Sequence, residues 1–409
     1  MQRVIDRAAG LDVHKKTVTA GVRVPGAAGD RVQHVATFGT TAAQLLALRD
    51  WLLSHGVTDV AMESTGVYWK PVYYVLEEHL TCIVVNAAHV SRVPGRKTDV
   101  RDCEWLAELL EHGLLRGSFV PPEPIRDLRD FTRYRQVLVQ DRTREVNRLH
   151  KILTDAGIQL ANVATNVMGK SGRAMLLALV EGTTDPEVLT ALAQGKLRRK
   201  LPALHEALAG RFRRHHALLV SHLLSHLDYL DEALADLTAQ IEEALAPFAT
   251  EAARLDAIPG VGPRTAEILI AELGVDMRQF PTARHAASWA GLCPGTHESA
   301  GKRRAVRTRK GNHWLRAALI EAALGAVNVR DSALAARYRR LVRHCGHRKA
   351  IVAVAHSILT TAYMLLADGR EYREPGAGYY DARRQEHALR RARHLLERHG
   401  YHVSLETAA

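Results

Sequence analysis

The chain reads as an α/β domain tied by long helices to a second, mainly helical domain. Three observations predict this. Strand-length apolar runs alternate with helical periodicity through the first 113 residues. An apolar seam alternating by three and four runs from Val220 to Ala244. Glycine and proline turns then divide the C-terminal half into apolar helical segments. In order, residues 8–14, 17–24 and 31–38 read as strands, with turns at His14-Lys15-Lys16 and at Pro25 to Asp30. A helix at 41–54 sets Leu45, Leu48 and Leu52 on one face and ends at Gly56. A buried strand at 57–63 leads to a helix near 67–79 and another strand from Thr81 to Val85. Thr98 N-caps a last helix that runs to about His112 and stops at Gly113.

A three-strand meander followed by α/β alternation is the order of an RNase H-like fold, which gives a first domain over 1–120. Pro121-Pro122-Glu123-Pro124 marks its end. A helical and coiled-coil region, 121–250, carries Leu128, Val139, Val146, Leu149 and Leu153 on its first helix. An irregular stretch with Gly169, Gly172, Gly182 and Asp185-Pro186 follows, and then the seam. That seam pairs either two subunits or the 125–155 helix of the same chain. A third domain, 251–375, holds a helix at His313 to Ala326 and an apolar helix from Ala350 to Ala367. His356, Ser357, Thr360 and Thr361 mark the latter as a core helix rather than a membrane span. Residues 376–409 form a basic tail, helical and amphipathic from Arg383.

The net charge of +12 over 409 residues is segregated. Residues 1–113 hold 12 Lys/Arg against 13 Asp/Glu, so the near-neutral first domain leaves the excess to the rest. That is the electrostatic footprint of a nucleic-acid binder. Four scattered cysteines with no CxxC pair exclude a zinc ribbon and indicate a reducing compartment. With no signal-peptide core at the N-terminus, the expectation is a cytoplasmic protein acting at the nucleoid.

Four carboxylates stand where short strands or a helix start would hold them: Asp12, Glu63, Asp99 and Asp102. Asp99 and Asp102 are neighbours on one helical face, where like charges repel unless a cation lies between them. Hard oxygen donors suit Mg²⁺ or Mn²⁺. Each acid alone is better explained as surface than as a ligand, and Asp99 as a complement to the helix dipole. The joint pattern is what points to a metal site that handles phosphates.

Ile258-Pro259-Gly260-Val261-Gly262-Pro263 before Arg264-Thr265 resembles a helix-hairpin-helix turn, which offers a phosphate close backbone approach and a helix N-terminus. The bland alternative is an ordinary interhelical turn. Ser299 lies in a glycine-rich stretch ahead of Lys302, Arg303, Arg304, Arg307, Arg309, Lys310 and Asn312. Judged from composition, its hydroxyl bonds a backbone phosphate and these residues clamp the strand, or simply form a solvated basic loop. His205, His215, His216, His222 and His226 read as solvated helix faces, and His344-Cys345-Gly346-His347 as a helix-ending turn.

GLDVHK (10–15), AMESTGVYW (61–69), KTDVRDCEWLAELL (97–110), IPGVGPRTA (258–266), GLCPGTHESAGKRR (291–304) and RKGNHWLRAAL (309–319), in this order, resemble the DEDD transposases of bacterial insertion sequences. The resemblance spans nearly the whole chain. It implies a RuvC-like first domain, metal-binding acids at Asp12, Glu63, Asp99 and Asp102, and a nucleophilic serine at Ser299 in a C-terminal transposase domain. It also implies DNA ends and a target, a noncoding guide RNA, and a homo-oligomeric synapse with a composite site. Residues 160–210 depart from a simple connecting coiled coil. Site-specific invertases share these motifs. A metal-dependent nuclease using water and an architectural nucleic-acid binder are the rival readings.

Overall fold

The computed structural model describes residues 3–26, 30–64, 66–86, 102–295, 298–299, 302–303 and 308–402, with Glu298, Ser299, Lys302, Arg303 and residues 380–384 described by their backbone. Asp99, Arg304 and Arg307 lie outside the described residues, as does Thr98. The chain forms two compact units, Met1–Pro121 and Pro122–Ala409.

The first unit is one mixed sheet with helices on both faces. Its strands are β1 (Ala8–Val13), β2 (Thr17–Pro25), β3 (Arg31–Gly39), β4 (Asp59–Glu63) and β5 (Thr81–Val85), in the order β3-β2-β1-β4-β5. The first three run as an antiparallel meander, and β4 and β5 join parallel to β1. Side chains alternate between the faces. Leu11, Val13, Val18, Ala20, Val22, Val60 and Met62 form one core with Leu45, Leu48 and Leu52 of α1 (Ala42–Ser54) and Val72 and Leu76 of α2 (Trp69–Leu76). The opposite face packs Ala8, Ala61 and Val85 against Leu106, Leu109 and Leu110 of α3 (Asp102–Glu111). The second helix is shorter than the 67–79 expected, because residues 66–68 form a turn before it.

Glycines let α3 lie directly on the strands. Gly10 of β1 faces Gly21 of β2. A Cβ on Gly10 would stand 2.1 Å from the Cys103 carbonyl oxygen and 2.6 Å from the Ala107 nitrogen. The far end of α3 is fixed by Glu111, whose buried carboxylate accepts from Arg23 Nε at 2.8 Å and pairs with Arg31 Nε at 3.0 Å. Burial alone would raise that carboxyl, but Arg23 and Arg31 outweigh it and hold it below the usual glutamate range.

The second unit is helical. Its spine is α4 (Glu123–Asp155), α5 (Lys170–Val180), α6 (Leu201–Leu208) and α7 (Arg214–Leu245), with short helical turns at Leu160–Val163 and Pro186–Ala191. The seam pairs within the chain: Arg142 binds Asp231 and Arg135 Nε donates to Thr238 Oγ1, so α7 runs antiparallel along α4. The irregular 160–210 stretch folds as short helices onto one end of the α4–α7 pair. Leu160, Met175, Leu176, Leu179, Leu189, Leu204 and Leu208 share one core with Leu149, Leu153, Val220 and Leu224. His216 corrects the expectation of solvated histidines. It is 2% exposed, accepting the Arg213 N–H at Nδ1 and meeting Asp155 Oδ2 at 3.0 Å through Nε2. The packing of the 156–158 turn against the start of α7 puts it inside. His205, His215, His222 and His226 are exposed.

Beyond α7 come α8 (Ala249–Asp256), α9 (Pro263–Leu273), α10 (Ala283–Trp289), α11 (His313–Ala326), α12 (Ala333–Cys345), α13 (His347–Asp368) and α14 (Tyr379–Arg398). Gly346, at φ +76°, breaks α12 from α13, as the helix-ending reading of His344 to His347 anticipates. Among the described residues α13 alone is long and apolar enough to cross a membrane, but Ile351, Val354, Ala355, Ile358, Leu359 and Ala362 are buried in the bundle. Every described side chain of α14 from Gln385 onward is exposed.

Candidate functional site

In the first unit three of the four acids come to the same end of the sheet. Leu11 pairs with Met62, so the next residues, Asp12 and Glu63, end adjacent parallel strands side by side. Alternation puts both on the face that α3 covers, opposite Leu11 and Met62. Cys103 lies over Gly10, two residues short of Asp12, and Asp102 immediately precedes it at the first residue of α3. Burial pushes the Cys103 thiol up, and the charges of Glu104 and Asp12 push it further, as this proximity requires. Asp12 is half-buried, and its Oδ2 lies 3.1 Å from His14 Nε2. His14 is a site neighbour that sequence reasoning treated only as part of a turn. Its signal was nearness in sequence alone, because it follows the end of β1 two residues after Asp12 and opens the turn to β2. Carboxylate oxygens at the ends of two strands and at a helix start are the donor type that a hard divalent cation takes.

The second unit holds Ser299 on a two-residue strand, β6 (Glu298–Ser299), antiparallel to β7 (Lys302–Arg303), with Ser299 opposite Lys302. Below this hairpin the two legs of the loop are clasped. Pro294 bridges to Thr308, and the Asn312 N–H donates to the Trp289 carbonyl at 3.0 Å. Gly291, at φ +71°, meets Gly311 so closely that a Cβ on Gly311 would sit 2.3 Å from the Gly291 nitrogen. Arg316 also donates to the Gly291 carbonyl.

The residues read as nucleic-acid contacts divide into two groups. Lys310 and Arg309 are exposed on the descending leg. Asn312 is used internally: its Oδ1 caps α11 by accepting from the Trp314 and Leu315 amides, and its Nδ2 donates to Glu272 Oε2 at 2.5 Å. Arg264 pairs with the buried Glu267 at 2.7 Å and with Glu242 at 3.2 Å. Gly260, at φ +84°, abuts α11, where a Cβ would stand 2.3 Å from the Ala322 carbonyl oxygen. Gly262 caps α9, and a Cβ there would meet nothing within 4 Å, while Thr265 is half-buried one turn on. Of the turn's glycines, Gly260 therefore serves packing and Gly262 leaves open approach to a helix N-terminus.

Two family models match the chain. Residues 9–158 match that of IS110-type DEDD transposases, described as a transposase, and residues 252–339 match the IS116/IS110/IS902 transposase family. The first stretch contains all four acids, and the second contains Ser299 and Asn312. A protein named "Probable family 20 transposase" from Pseudomonas aeruginosa is 30% identical over 302 residues, 72% of this chain and 79% of its own length. The IS110 insertion-element protein of 43.6 kDa from Streptomyces coelicolor is 28% identical over 68% of this chain and 73% of its own. The transposase for insertion sequence element IS1111A from Coxiella burnetii is 26% identical over 71% of this chain and 72% of its own. The chain belongs to the IS116/IS110/IS902 family of transposases, enzymes that cleave and recombine DNA.

Proposed function

We propose that this transposase excises and inserts an insertion sequence through a composite site of metal-binding carboxylates and a nucleophilic serine. The observation that carries the reading is that the elements bearing Asp12, Glu63 and Asp102 set all three toward one end of a sheet ordered β3-β2-β1-β4-β5, the order expected of an RNase H-like, RuvC-like domain. Asp99, three residues before Asp102, is the fourth acid of the set. A bound Mg²⁺ or Mn²⁺ would polarise the scissile phosphate and stabilise charge on its oxygens. The carboxylates hold that charge in place, and His14 orients Asp12. Ser299 Oγ then forms a bond to phosphorus as the bond to one deoxyribose oxygen breaks. The serine proton leaves to solvent or a nearby base, and the departing sugar oxygen takes one up. Attack by a strand hydroxyl on the phosphoserine reverses the step and joins the new strand. Lys302, Arg303, Arg304, Arg307, Arg309 and Lys310 bind the backbone around this phosphate, and the Gly262 turn grips the duplex as a helix-hairpin-helix. The family resemblance adds a guide RNA and a homo-oligomeric synapse to this proposal.

The test is trapping of a covalent adduct on DNA that carries the element ends, with and without Mg²⁺. The parent chain gives a denaturant-resistant adduct. Ser299→Ala gives none, and Asp12→Asn slows its formation at least about 100-fold, since several kcal/mol of charge stabilisation are lost. An adduct that survives Ser299→Ala sinks the serine role. Free 5′-phosphate ends without any adduct point to a nuclease using water. DNA binding without cleavage, indifferent to Asp12→Asn and to Mg²⁺, leaves an architectural binder.

A further inference from the structure

Glu272 is the most completely buried carboxylate among the described residues, at 0% exposure, and nothing in the chemistry above uses it. It sits near the end of α9 and is held from two sides. Arg133 of α4 grips it with two parallel bonds, Nε to Oε1 at 2.7 Å and an Nη to Oε2 at 2.8 Å. Arg129, one turn earlier, donates to the Ala271 and Glu272 carbonyls and lies 3.5 Å from the Glu272 carboxylate. From the other side Asn312 Nδ2 reaches Oε2 at 2.5 Å. The Arg133 guanidinium also lies 5.9 Å from the Trp314 ring centre on α11.

We infer that the Glu272–Asn312 contact is a positioning device, which locks the base of the serine-bearing loop to the long helix α4 and so fixes where Ser299 stands. Asn312 is the last residue of the descending leg, and its three polar groups point three ways. The backbone N–H ties the leg to Trp289 at the foot of the ascending leg. The side-chain oxygen starts α11. The side-chain nitrogen binds the carboxylate that α4 holds. Capping α11 needs only the oxygen, and a serine there would cap as well. The amide nitrogen is surplus to the helix, so its bond to a buried carboxylate calls for another purpose. A buried ion pair of this kind adds little net stability compared with apolar packing, but it does define one geometry. Neighbouring backbones make the clasp stiff, because Gly291 and Gly311 touch with no side chain between them. Any shift at Asn312 therefore reaches both legs and the Pro294–Thr308 bridge, at the base of the segment that carries Ser299.

This inference rests on Ser299 acting as the nucleophile, and the experiment separates the two. Asn312→Ser keeps the capping oxygen and removes only the reach to Glu272. Asn312→Asp keeps the cap and sets a carboxylate against a carboxylate. In the full-length chain Asn312→Ser unfolds only a few degrees below the parent, since Arg133 and Arg129 still partner the Glu272 carboxylate, and binds element-end DNA with parent affinity. It forms the covalent adduct about 10- to 100-fold more slowly, the loss expected of a reacting group displaced by an ångström or less. Amide hydrogen exchange speeds up within 291–311 and not in α9. Asn312→Asp is slower still, and Asn312→Gln, which retains an amide, recovers part of the rate. Two results overturn the inference: an adduct rate and loop exchange equal to the parent in Asn312→Ser, or losses in rate, affinity and global stability that move together. If Ser299→Ala still forms adduct, the serine chemistry falls, while loop exchange in Asn312→Ser continues to test the clasp on its own.

Discussion

Gly10→Ala isolates what brings Asp102 to Asp12. The strand backbone accepts alanine, so the whole effect comes from the new methyl. It would lie 2.1 Å from the Cys103 carbonyl oxygen, 2.6 Å from the Ala107 nitrogen and 2.7 Å from Leu106 Cβ. Two of these neighbours are helix backbone, which cannot turn aside, so α3 must lift by about 1 Å to reach ordinary contact. Overpacking on that scale costs about 1–3 kcal/mol. Restricting the unfolded chain returns about 0.4–1 kcal/mol. A net loss of about 1–2 kcal/mol lowers the melting temperature of the first unit by roughly 4–8 °C. Asp102 rides on the displaced end, so Mn²⁺ affinity falls about 10-fold or more, as when a ligand is misplaced. Scanning calorimetry and a Mn²⁺ titration read the two effects. Gly39→Ala is the control, since its nearest neighbour is the flexible Gln44 side chain at 3.3 Å, which can move aside. If Gly10→Ala melts with Gly39→Ala and binds Mn²⁺ like the parent, the seating argument is wrong.

Gly260→Ala forces a side chain into positive φ and into the Ala322 carbonyl, and should unfold the C-terminal helices several degrees early. Gly262→Ala meets open space and should keep the melting temperature within a few degrees while weakening duplex DNA binding; equal DNA binding would remove the helix-hairpin-helix reading. Glu111 supplies a pH signature. Its folded carboxyl is depressed by Arg23 and Arg31, so the stability it contributes is present above the ordinary glutamate value and is lost as pH falls through the folded value. Urea midpoints of the first unit should therefore drop with acidification below the ordinary glutamate range. That slope should flatten in Glu111→Gln, whose midpoint is lower at neutral pH, and an unchanged slope would assign the acid lability to other carboxylates.

Much of the first unit was legible because its signals are local. Strand alternation, the turn at His14 to Lys16 and the apolar face of Leu45, Leu48 and Leu52 are each set by neighbours in sequence. The order of elements then leads to Asp12 and Glu63 on adjacent strand ends, since register follows from which face is apolar. What was illegible is long-range. Glu272 and Arg133 are 139 positions apart, and an acid within an apolar helix gives no hint of its partner. The seam from Val220 to Ala244 states that it needs a partner, and the repeat is the same whether that partner is α4 or another chain. Capping propensity alone explains Asn312, which hides its second bond. His216 reads as one of many histidines because its burial depends on the 156–158 turn folding back against α7.

The glycines of the motifs have a common logic. In GLDVHK, Gly10 admits α3 and Asp12 stands two residues on. In GLCPG and RKGN, Gly291 and Gly311 admit each other, with Ser299 beyond one and Asn312 beside the other. In IPGVGP, Gly260 admits α11 and Gly262 faces open space. Two of these motifs thus join a residue whose value is its missing side chain to a nearby residue whose polar group is used, Gly10 to Asp12 and Gly311 to Asn312. Such a pairing makes sense when a group must be held to within an ångström. A side chain at the point of contact adds a layer of rotamers between two backbones, and removing it lets backbone rest on backbone. The four acids are therefore only the visible part of the site proposed for the first unit. Asp102 owes its place to Gly10 on another element as much as to its own helix, and a metal centre transplanted without that glycine should bind its ion weakly however complete its carboxylates.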